Sequence, residues 1–302
     1  MSNEIWKQKV ALFRKRFAAR EDAFTVRVSY TRQIIDEATQ EPRIEEVNTF
    51  QLQCQNFGNK DLCLITQRKG TCSSPCSNKV NQPLTDEWVW KHISGDKELV
   101  LFMLRQEGIK FGAADFDTGQ VFEDAKNVRN LSVSMGIPCY IARSSKKGYH
   151  VYWFFNEFVE PHLFTSFVRF LFDSLGFYER MDTVNGVIMN RVPEVFPKQT
   201  QFNSKAIGNG IKIPMIEPKM REGWNCWVDD NAVPVPMDQQ WKYFAALDEV
   251  DTVKFKAALE DSKVPILKAP ASRSTQEAQQ AESGGGPAIP LKPYGGFQGV
   301  IE

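Results

Sequence analysis

Between residues 99 and 175, apolar runs of strand length alternate with amphipathic segments of helical length, and this alternation constrains the fold most. The runs 99–104 and 109–116 are joined by a polar turn and predict a hairpin. The predicted order after the hairpin is helix 121–131, strand 139–143, strand 149–155 and helix 164–175. The pattern predicts an α+β fold in which helices pack on a sheet.

Outside this stretch the periodicity is weaker. Apolar residues from Ile5 to Phe17 recur at helical spacing and predict an amphipathic opening helix. From residue 269 onward Ser, Gln, Gly and Pro dominate, which is typical of a disordered tail or linker. The remaining predictions are an N-cap at Thr85, strands near 187–189 and 207–214, and a helix within 238–263.

The chain of 302 residues is long enough for one large domain or two modest ones with appendages. Shifts in composition and periodicity divide it into five segments. These are an N-terminal helical or αβ segment (1–50), a cysteine module (51–82), the sheet-bearing core (83–235), a C-terminal helix (236–264) and a disordered tail or linker (265–302).

Lys and Arg together number 37, as do Asp and Glu, so no global field attracts a polyanion. Nucleic acid would need a local basic patch, although such groups can also be ordinary solvated surface. No window approaches the run of about 20 apolar residues that a membrane span needs, and a cytoplasmic protein is expected. The candidate basic residues are Lys7, Lys9, Arg14, Lys15, Arg16, Arg20, Arg143, Lys146, Lys147, Lys198, Lys205 and Lys212.

The apolar run over residues 111–117 ends in two alternate acids, Asp115 and Asp117. Alternate side chains of a strand point to the same face, so both carboxylates are expected on one side of the sheet. Two close carboxylates repel each other unless cations lie between them. Oxygen ligands of this kind suit Mg²⁺ or Mn²⁺, which predicts a site for divalent cations. An exposed acid pair at a strand-to-turn junction is the alternative.

A basic turn precedes the next strongly apolar strand. It offers hydroxyls, cations, a flexible glycine and an imidazole, which are groups that bind a triphosphate. His150 begins the strand, so a rigid backbone would direct its ring; a purely structural histidine is the alternative. The predicted nucleotide-binding residues of this turn are Arg143, Ser145, Lys147, Gly148 and His150.

Glu194 is the candidate third carboxylate. Two metal ions about 4 Å apart need a bridging carboxylate and further oxygen ligands, which an acid from a distant strand can supply. Downstream, the segment 208–214 combines glycines, an amide and a cation before a strand. A surface glutamate and an ordinary hairpin turn are the alternatives. Further predicted nucleotide-binding residues are Lys198, Gln199, Asn209 and Lys212.

Four cysteines in a polar segment, Cys54, Cys63, Cys72 and Cys76, are candidate metal ligands. Only the last pair has the close spacing of a zinc knuckle. Tetrahedral Zn²⁺ would provide folding free energy that so polar a segment cannot draw from packing. An iron–sulfur cluster and unmetallated thiols are the alternatives. Cys139 and Cys226 stand alone and are expected to be buried.

Taken together, these motifs resemble the archaeo-eukaryotic primase superfamily, the primase-polymerases. The resemblance is closest to the primase modules of TOTE conflict systems and of CRISPR loci, and it runs from about residue 11 to about residue 216. Gly148-Tyr149-His150 matches the family's second motif, a small residue, any residue and His. The other matching segments are 12–14, 20–22, the four cysteines, 83–87, 111–117, 195–199 and 208–214.

The resemblance implies a catalytic core with a modified RNA-recognition-motif-like sheet beside an N-terminal αβ unit, and a small zinc-knuckle-like insertion. It implies that Asp115 and Asp117 bind catalytic metals, that His150 contacts the incoming triphosphate, and that Glu194 is the third carboxylate, often Asp in the family. The implied substrates are a single-stranded DNA template, a primer and nucleoside triphosphates. The tail is then a candidate link to a helicase or another replication or defence protein.

The leading hypothesis is template-directed nucleotidyl transfer, by a DNA primase, a primer-extending polymerase or both. Two divalent cations, Mg²⁺ or Mn²⁺, would be held by the three carboxylates. A metal-dependent nuclease is one alternative, because metal-bound acids also serve phosphodiester hydrolysis. A non-catalytic nucleic-acid-binding module is the other.

Overall fold

The computed structural model describes residues 3–36, 40–64, 66, 76–117, 120–145, 147–184, 187–190, 192–203 and 206–267; the side chains of residue 3 and residues 182–190 are excepted. Cys72, Lys146 and Lys205 lie outside these residues. So does the predicted tail from residue 268 onward.

Helices and strands alternate through the middle of the chain in the order that the sequence pattern predicted. The helices are α1 (Asn3–Arg16), α2 (Asp86–Ser94), α3 (Val121–Ser134), α4 (Pro161–Ser174), α5 (Glu217–Arg221), α6 (Gln240–Ala246) and α7 (Thr252–Asp261). The strands are β1 (Phe24–Ile35), β2 (Pro42–Leu52), β3 (Leu99–Leu101), β4 (Ile109–Phe116), β5 (Tyr140–Arg143), β6 (Tyr149–Val159), β7 (Met181–Val184), β8 (Val187–Asn190), β9 (Glu194–Phe196), β10 (Ile211–Lys212) and β11 (Cys226–Trp227).

A five-stranded antiparallel sheet, in the order β11-β5-β6-β4-β9, forms the centre of the molecule. The elements β4, α3, β5, β6, α4 and β9 follow one another as a β-α-β-β-α-β unit. The antiparallel pair β7-β8 is inserted between α4 and β9. The predicted α+β class is confirmed, and this mixed architecture with antiparallel sheets is consistent with a primase-type fold.

The two faces of the five-stranded sheet pack against different partners because residues alternate along β4. On one face, Phe116 contacts Phe172 of α4, and Gly112 lies so close to Phe164 that an added Cβ would be 2.3 Å from that ring. On the other face, Phe111 packs against Phe17, just after α1. Asp115 shares this second face with Phe111, so the sequence alternation directs it away from α4.

A second antiparallel sheet of four strands has the order β10-β3-β1-β2. Its strand β3 pairs with β1 and β10, whereas β4 pairs with β6 and β9. The hairpin predicted over residues 99–116 is therefore wrong. The turn itself exists, as a bridge between Arg105 and Gly108, but the strands on either side of it belong to different sheets.

The other elements agree with the sequence in outline. Thr85 precedes α2 as expected, but its side chain makes no capping hydrogen bond. The segment predicted as one C-terminal helix contains two, α6 and α7, and Asp251 caps the second through the amides of Val253 and Lys254. Among the described helices, none is both long and apolar enough to cross a membrane.

Candidate active site

Three strands of the five-stranded sheet place two acids and an imidazole side by side. Asp115 of β4 is the direct partner of Glu194 on β9 and of His150 on β6. Directly paired residues of an antiparallel sheet project to the same face, with Cβ atoms about 5 Å apart. Residues distant in sequence thus meet in one row, Glu194–Asp115–His150, which we call the acid–imidazole row.

Asp115 is held in its charged form by its surroundings. The Oδ1 atom of Asp115 lies 3.1 Å from Nε2 of His150, whose side chain is only 5% exposed. Burial by itself raises the pKa of Asp115. The charge and hydrogen bond of His150, together with Lys212 and Lys198, outweigh burial and hold this pKa below its usual value. The carboxylate therefore carries a negative charge at neutral pH.

The hydroxyl of Tyr152 connects His150 to the other sheet, a role that the sequence analysis missed. Tyr152 donates to the backbone oxygen of Lys212 at 3.0 Å, and its oxygen lies 2.8 Å from Nδ1 of His150. Because the single hydroxyl hydrogen is used on Lys212, Nδ1 must be the donor to Tyr152. Burial, with a further contribution from Asp115, raises the pKa of Tyr152 well above 10, so the hydroxyl stays protonated.

Two lysines border the acid–imidazole row. Lys212, on β10 of the four-stranded sheet, is close enough to lower the pKa of Asp115. Lys198 lies 2.6 Å from Glu194, and these side chains are 38% and 56% exposed. A surface ion pair of this kind contributes about 0–1 kcal/mol. Little free energy therefore opposes a rotation of Glu194 toward Asp115.

The three predicted carboxylates have the oxygen donors that a divalent cation needs, but the structure does not bring them together into one metal-binding group. Asp117 directly follows β4 and is exposed. In the described part of the chain, no three His, Cys, Asp or Glu side chains converge as a metal-binding group. The backbone nevertheless brings Asp115 and Glu194 into adjacent positions, and hard carboxylate oxygens suit Mg²⁺ or Mn²⁺. The carboxylate oxygens are therefore chemically suited to a divalent cation. In this structure Glu194 is paired with Lys198 instead.

The basic turn between β5 and β6 is closed by its own hydroxyl. The Oγ atom of Ser145 accepts from the amides of Lys147 and Gly148 at 3.3 and 3.0 Å. Gly148 is closely packed, since an added Cβ would be 2.9 Å from Ser144 Oγ and that side chain would have to move. Arg143 pairs in register with Tyr149, so it projects to the face opposite His150, and it donates to the oxygen of Gly223. Arg143 is thus not brought to the acid–imidazole row.

Gln199 and Asn209 contact each other on the far side of Lys198. Their side-chain amides are hydrogen-bonded, and the backbone amide of Asn209 donates to Oε1 of Gln199 at 3.0 Å. Gly208 has a φ of +80°, and an added Cβ would be 2.9 Å from the same Oε1. The two predicted residues therefore form one polar pair that ties the segment after β9 to the segment before β10.

The segment that carries the candidate zinc ligands is tied together by backbone and amide contacts. Cys54 forms a bridge with Asn81, and Asn78 donates to the oxygen of Leu62 at 2.9 Å. Cys54 and Cys76 are half-buried and Cys63 is buried. Cys139 and Cys226 are buried as predicted, and burial raises the pKa of Cys139 to about 12 and that of Cys226 to about 11.

Comparison with known proteins shows the family. Residues 8–258 match the family model described as the archaeo-eukaryotic primase domain of TOTE conflict systems. No curated protein matches the chain. A solved structure, the polymerase domain of Mycobacterium tuberculosis Ligase D in complex with DNA, aligns at 14% identity over 85% of this chain and 88% of that one. Its TM-score of 0.35 is too low to establish a common fold. The family match alone is decisive, and the chain belongs to the archaeo-eukaryotic primase domain family of TOTE conflict systems.

Proposed function

We propose that this protein is a template-directed nucleotidyltransferase, acting as a DNA primase, a primer-extending polymerase or both. Its membership of a primase family supports the reaction class. The observation that carries the proposal is the acid–imidazole row, in which Glu194, Asp115 and His150 are neighbours on three adjacent strands. The substrates would be nucleoside triphosphates and a primer annealed to a single-stranded DNA template.

In the proposed reaction, the 3′-hydroxyl oxygen of the primer attacks the α-phosphorus of the nucleotide. A new P–O bond forms, the bond to the β-phosphate oxygen breaks, pyrophosphate leaves, and the hydroxyl proton passes to solvent. Asp115, Asp117 and Glu194 would hold divalent cations, which when bound activate the hydroxyl and neutralise phosphate charge.

The remaining residues of the site bind and orient the triphosphate. His150 is fixed between Asp115 and Tyr152, so its ring cannot turn freely. Lys212 and Lys198 place two ammonium groups beside the carboxylates, where phosphate oxygens of the substrate would lie. Such preorganised charges stabilise developing negative charge more effectively than water does. Lys147, exposed in the turn before β6, is proposed as a further phosphate contact.

The cysteine module is proposed to hold one structural Zn²⁺ through Cys54, Cys63, Cys72 and Cys76. The contacts that join residues 54–63 to residues 76–81 support this proposal. Elemental analysis of the purified protein would contradict it by finding no zinc.

The function is tested with a 5′-labelled primer on a longer DNA template, with Mg²⁺ or Mn²⁺ and each nucleotide type in turn. We expect products longer than the primer, and we expect EDTA to abolish them because the three carboxylates then lack their cations. A parallel reaction with unprimed template shows whether the protein also initiates strands. Shortening of the labelled strand would identify a nuclease, and nucleotide-independent binding without any product would identify a non-catalytic module.

Tyr152→Phe is expected to lower the rate of nucleotide addition about tenfold, equivalent to about 1.4 kcal/mol in the barrier. The variant removes the hydroxyl that orients His150 and fixes the backbone of Lys212. Single-turnover rates at saturating nucleotide measure the effect.

Tyr140→Phe is the matched control. Tyr140 is the cross-strand partner of Tyr152, and its hydroxyl accepts from the amide of Asp248 at 2.7 Å. Tyr152→Phe leaves the partly buried oxygen of Lys212 without its partner and should lose roughly 1–3 kcal/mol of stability. Tyr140→Phe should lose less, because the exposed amide of Asp248 can bond to water. Equal rates for the two variants would show that Tyr152 has only a structural role.

A further inference from the structure

The hairpin of β1 and β2 extends beyond the four-stranded sheet. The two strands pair from Thr25 and Leu52 to Ile35 and Pro42, whereas β3 covers β1 only at residues 24–26. The amide of Arg27 still donates to the oxygen of Glu98, just before β3, and from residue 28 onward the described strands form a two-stranded ribbon. A two-stranded ribbon is only marginally stable by itself in water. A ligand that binds to its uncovered face would therefore stabilise it.

The two faces of the ribbon differ in exposure. Odd-numbered residues of β1 and even-numbered residues of β2 share one face, which we call the open face. Every described position of the open face from residue 29 to residue 50 is exposed, whereas most positions on the other face are half-buried. Three large apolar side chains on the open face are Ile35, Ile44 and Phe50, with 57%, 77% and 37% of their surface exposed.

The open face is continuous with the acid–imidazole row. Leu52, Thr25, Val100 and Lys212 are successive cross-strand partners, so Lys212 projects from the same face of the sheet. The Nζ atom of Lys212 lies 5.4 Å from the ring centre of Phe50, and the same lysine lowers the pKa of Asp115. A strand lying across Phe50 would therefore pass directly to the carboxylates.

The base of the open face offers the groups that bind a single strand. Arg27 is the cross-strand partner of Phe50, and Asn48 and Glu98 hold its guanidinium at 3.0 and 3.2 Å. Ser29 is exposed beside them, and its hydroxyl donates to Oδ1 of Asn48 at 2.6 Å. Single-stranded nucleic acids bind where an aromatic ring stacks a base beside cations that contact phosphates.

We propose that Phe50, Arg27 and Lys212 form a platform for single-stranded DNA, on which the template strand stacks as it enters the site. This inference rests on the proposed function for the identity of the strand. The cations at the base favour a polyanion over an apolar protein partner. Glu46, the partner of Thr31, lies on the same face nearer the tip, so the platform is confined to the base of the ribbon.

The test measures the binding of a fluorescein-labelled dT20 strand by fluorescence anisotropy, without divalent cations or nucleotides. Phe50→Leu should weaken binding about tenfold, the factor expected for losing one base stacked on an aromatic ring. Phe50→Trp should bind at least as tightly as the unaltered protein. Arg32→Ala is the control, because it removes a cation from the other face, where Arg32 pairs with Glu45, and it should leave binding within about twofold.

Each outcome decides the proposal. Unchanged binding by Phe50→Leu, or an equal loss in Arg32→Ala, would overturn the platform. A change of oligomeric state in Phe50→Leu would do so too, since the open face would then be a contact between copies. If the protein extends primers but binding is independent of Phe50, the proposed function stands and the platform falls. If binding depends on Phe50 but no nucleotide is added, the platform stands and the proposed function falls.

Discussion

Asp115→Asn is expected to reduce nucleotide addition at least a thousandfold while the protein remains folded. The amide keeps the size and one acceptor oxygen of the carboxylate, so the contact with His150 can persist, but the negative charge is lost. A thousandfold loss corresponds to about 4 kcal/mol of transition-state stabilisation. That is the scale expected when a ligand of a catalytic cation is removed. Primer extension in the presence of Mn²⁺ measures the effect.

We expect Asp115 to be the most sensitive position because it is central in the acid–imidazole row. It has a carboxylate neighbour on one side and an imidazole on the other. His150, Lys212 and Lys198 all act to keep it charged. Glu194→Gln should have a smaller effect, since Glu194 is more exposed and its charge is shared with Lys198.

The control for Asp115→Asn is Glu157→Gln. Glu157 is an exposed acid toward the other end of β6, the strand that carries His150. The Glu157→Gln variant removes one negative charge from the same sheet and leaves the acid–imidazole row unchanged. Thermal unfolding of both variants checks that the fold is retained. Primer extension by Asp115→Asn at the rate of Glu157→Gln would exclude the proposed catalytic role.

The free energy of unfolding is expected to fall by roughly 3 kcal/mol between pH 7 and pH 4 because of one buried histidine, His92. Burial lowers the pKa of His92 from 6.5 to about 4, and each pKa unit corresponds to about 1.4 kcal/mol. The unfolded chain takes up the proton near pH 6.5, whereas the folded chain resists it until about pH 4. Stability is therefore complete above pH 6.5 and is lost as the pH falls through this window.

The contacts of His92 explain why its ring is neutral. Nε2 donates to the oxygen of Pro214 at 3.0 Å, and Nδ1 accepts from the amide of Leu99 at 3.1 Å. A second proton on Nδ1 would break the bond to Leu99 and bury a charge. The ring connects α2 to β3 and to Pro214, two residues after Lys212. Its protonation would therefore also weaken the contacts that position the strand carrying Lys212.

Urea denaturation at a series of pH values tests this prediction. His92→Gln can still donate to Pro214 but cannot titrate, so its stability should depend less on pH between 6.5 and 4. His162→Gln, on α4, is the control and should retain the slope of the unaltered protein. If the curves for His92→Gln and the unaltered protein are parallel across this window, another group must be responsible.

The central elements could be predicted because local pattern and tertiary structure agree there. The helices α3 and α4 each bury one apolar face. The strands β5 and β6 are buried on both faces over their central residues, so they are visible in the sequence as continuous apolar runs. The ribbon of β1 and β2 was not predicted, since its open face is exposed and mixes polar with apolar residues, so it gives no regular alternation of apolar residues.

Strand partners could not be predicted, because they depend on packing between distant segments. The apolar runs on either side of Gly108 suggested a hairpin, yet β3 finds its partners in β1 and β10. The acids illustrate the same limit. The alternation of β4 predicted that Asp115 and Asp117 share a face, but only the pairing of β4 with β9 brings Glu194 beside Asp115.

Tyr152 could have been found by the rule that located the acids. It follows His150 by two residues on the same strand and therefore shares its face. What the sequence could not show is that its hydroxyl reaches across to the backbone of Lys212 in the second sheet. That contact depends on how the two sheets pack.

The Tyr152 hydroxyl also links the spacing between the two sheets to the hydrogen bonding of the His150 ring. Asp115 and His150 belong to one sheet and Lys212 to the other, so a substrate that wedges them apart must break the bond from Tyr152 to Lys212. The released hydroxyl hydrogen can turn toward Nδ1 of His150 once that nitrogen has given up its own hydrogen to solvent, and the donor and acceptor of the bond then exchange roles. Separation of the two sheets near Lys212 would thus change the hydrogen bonding of the His150 ring through one hydroxyl group.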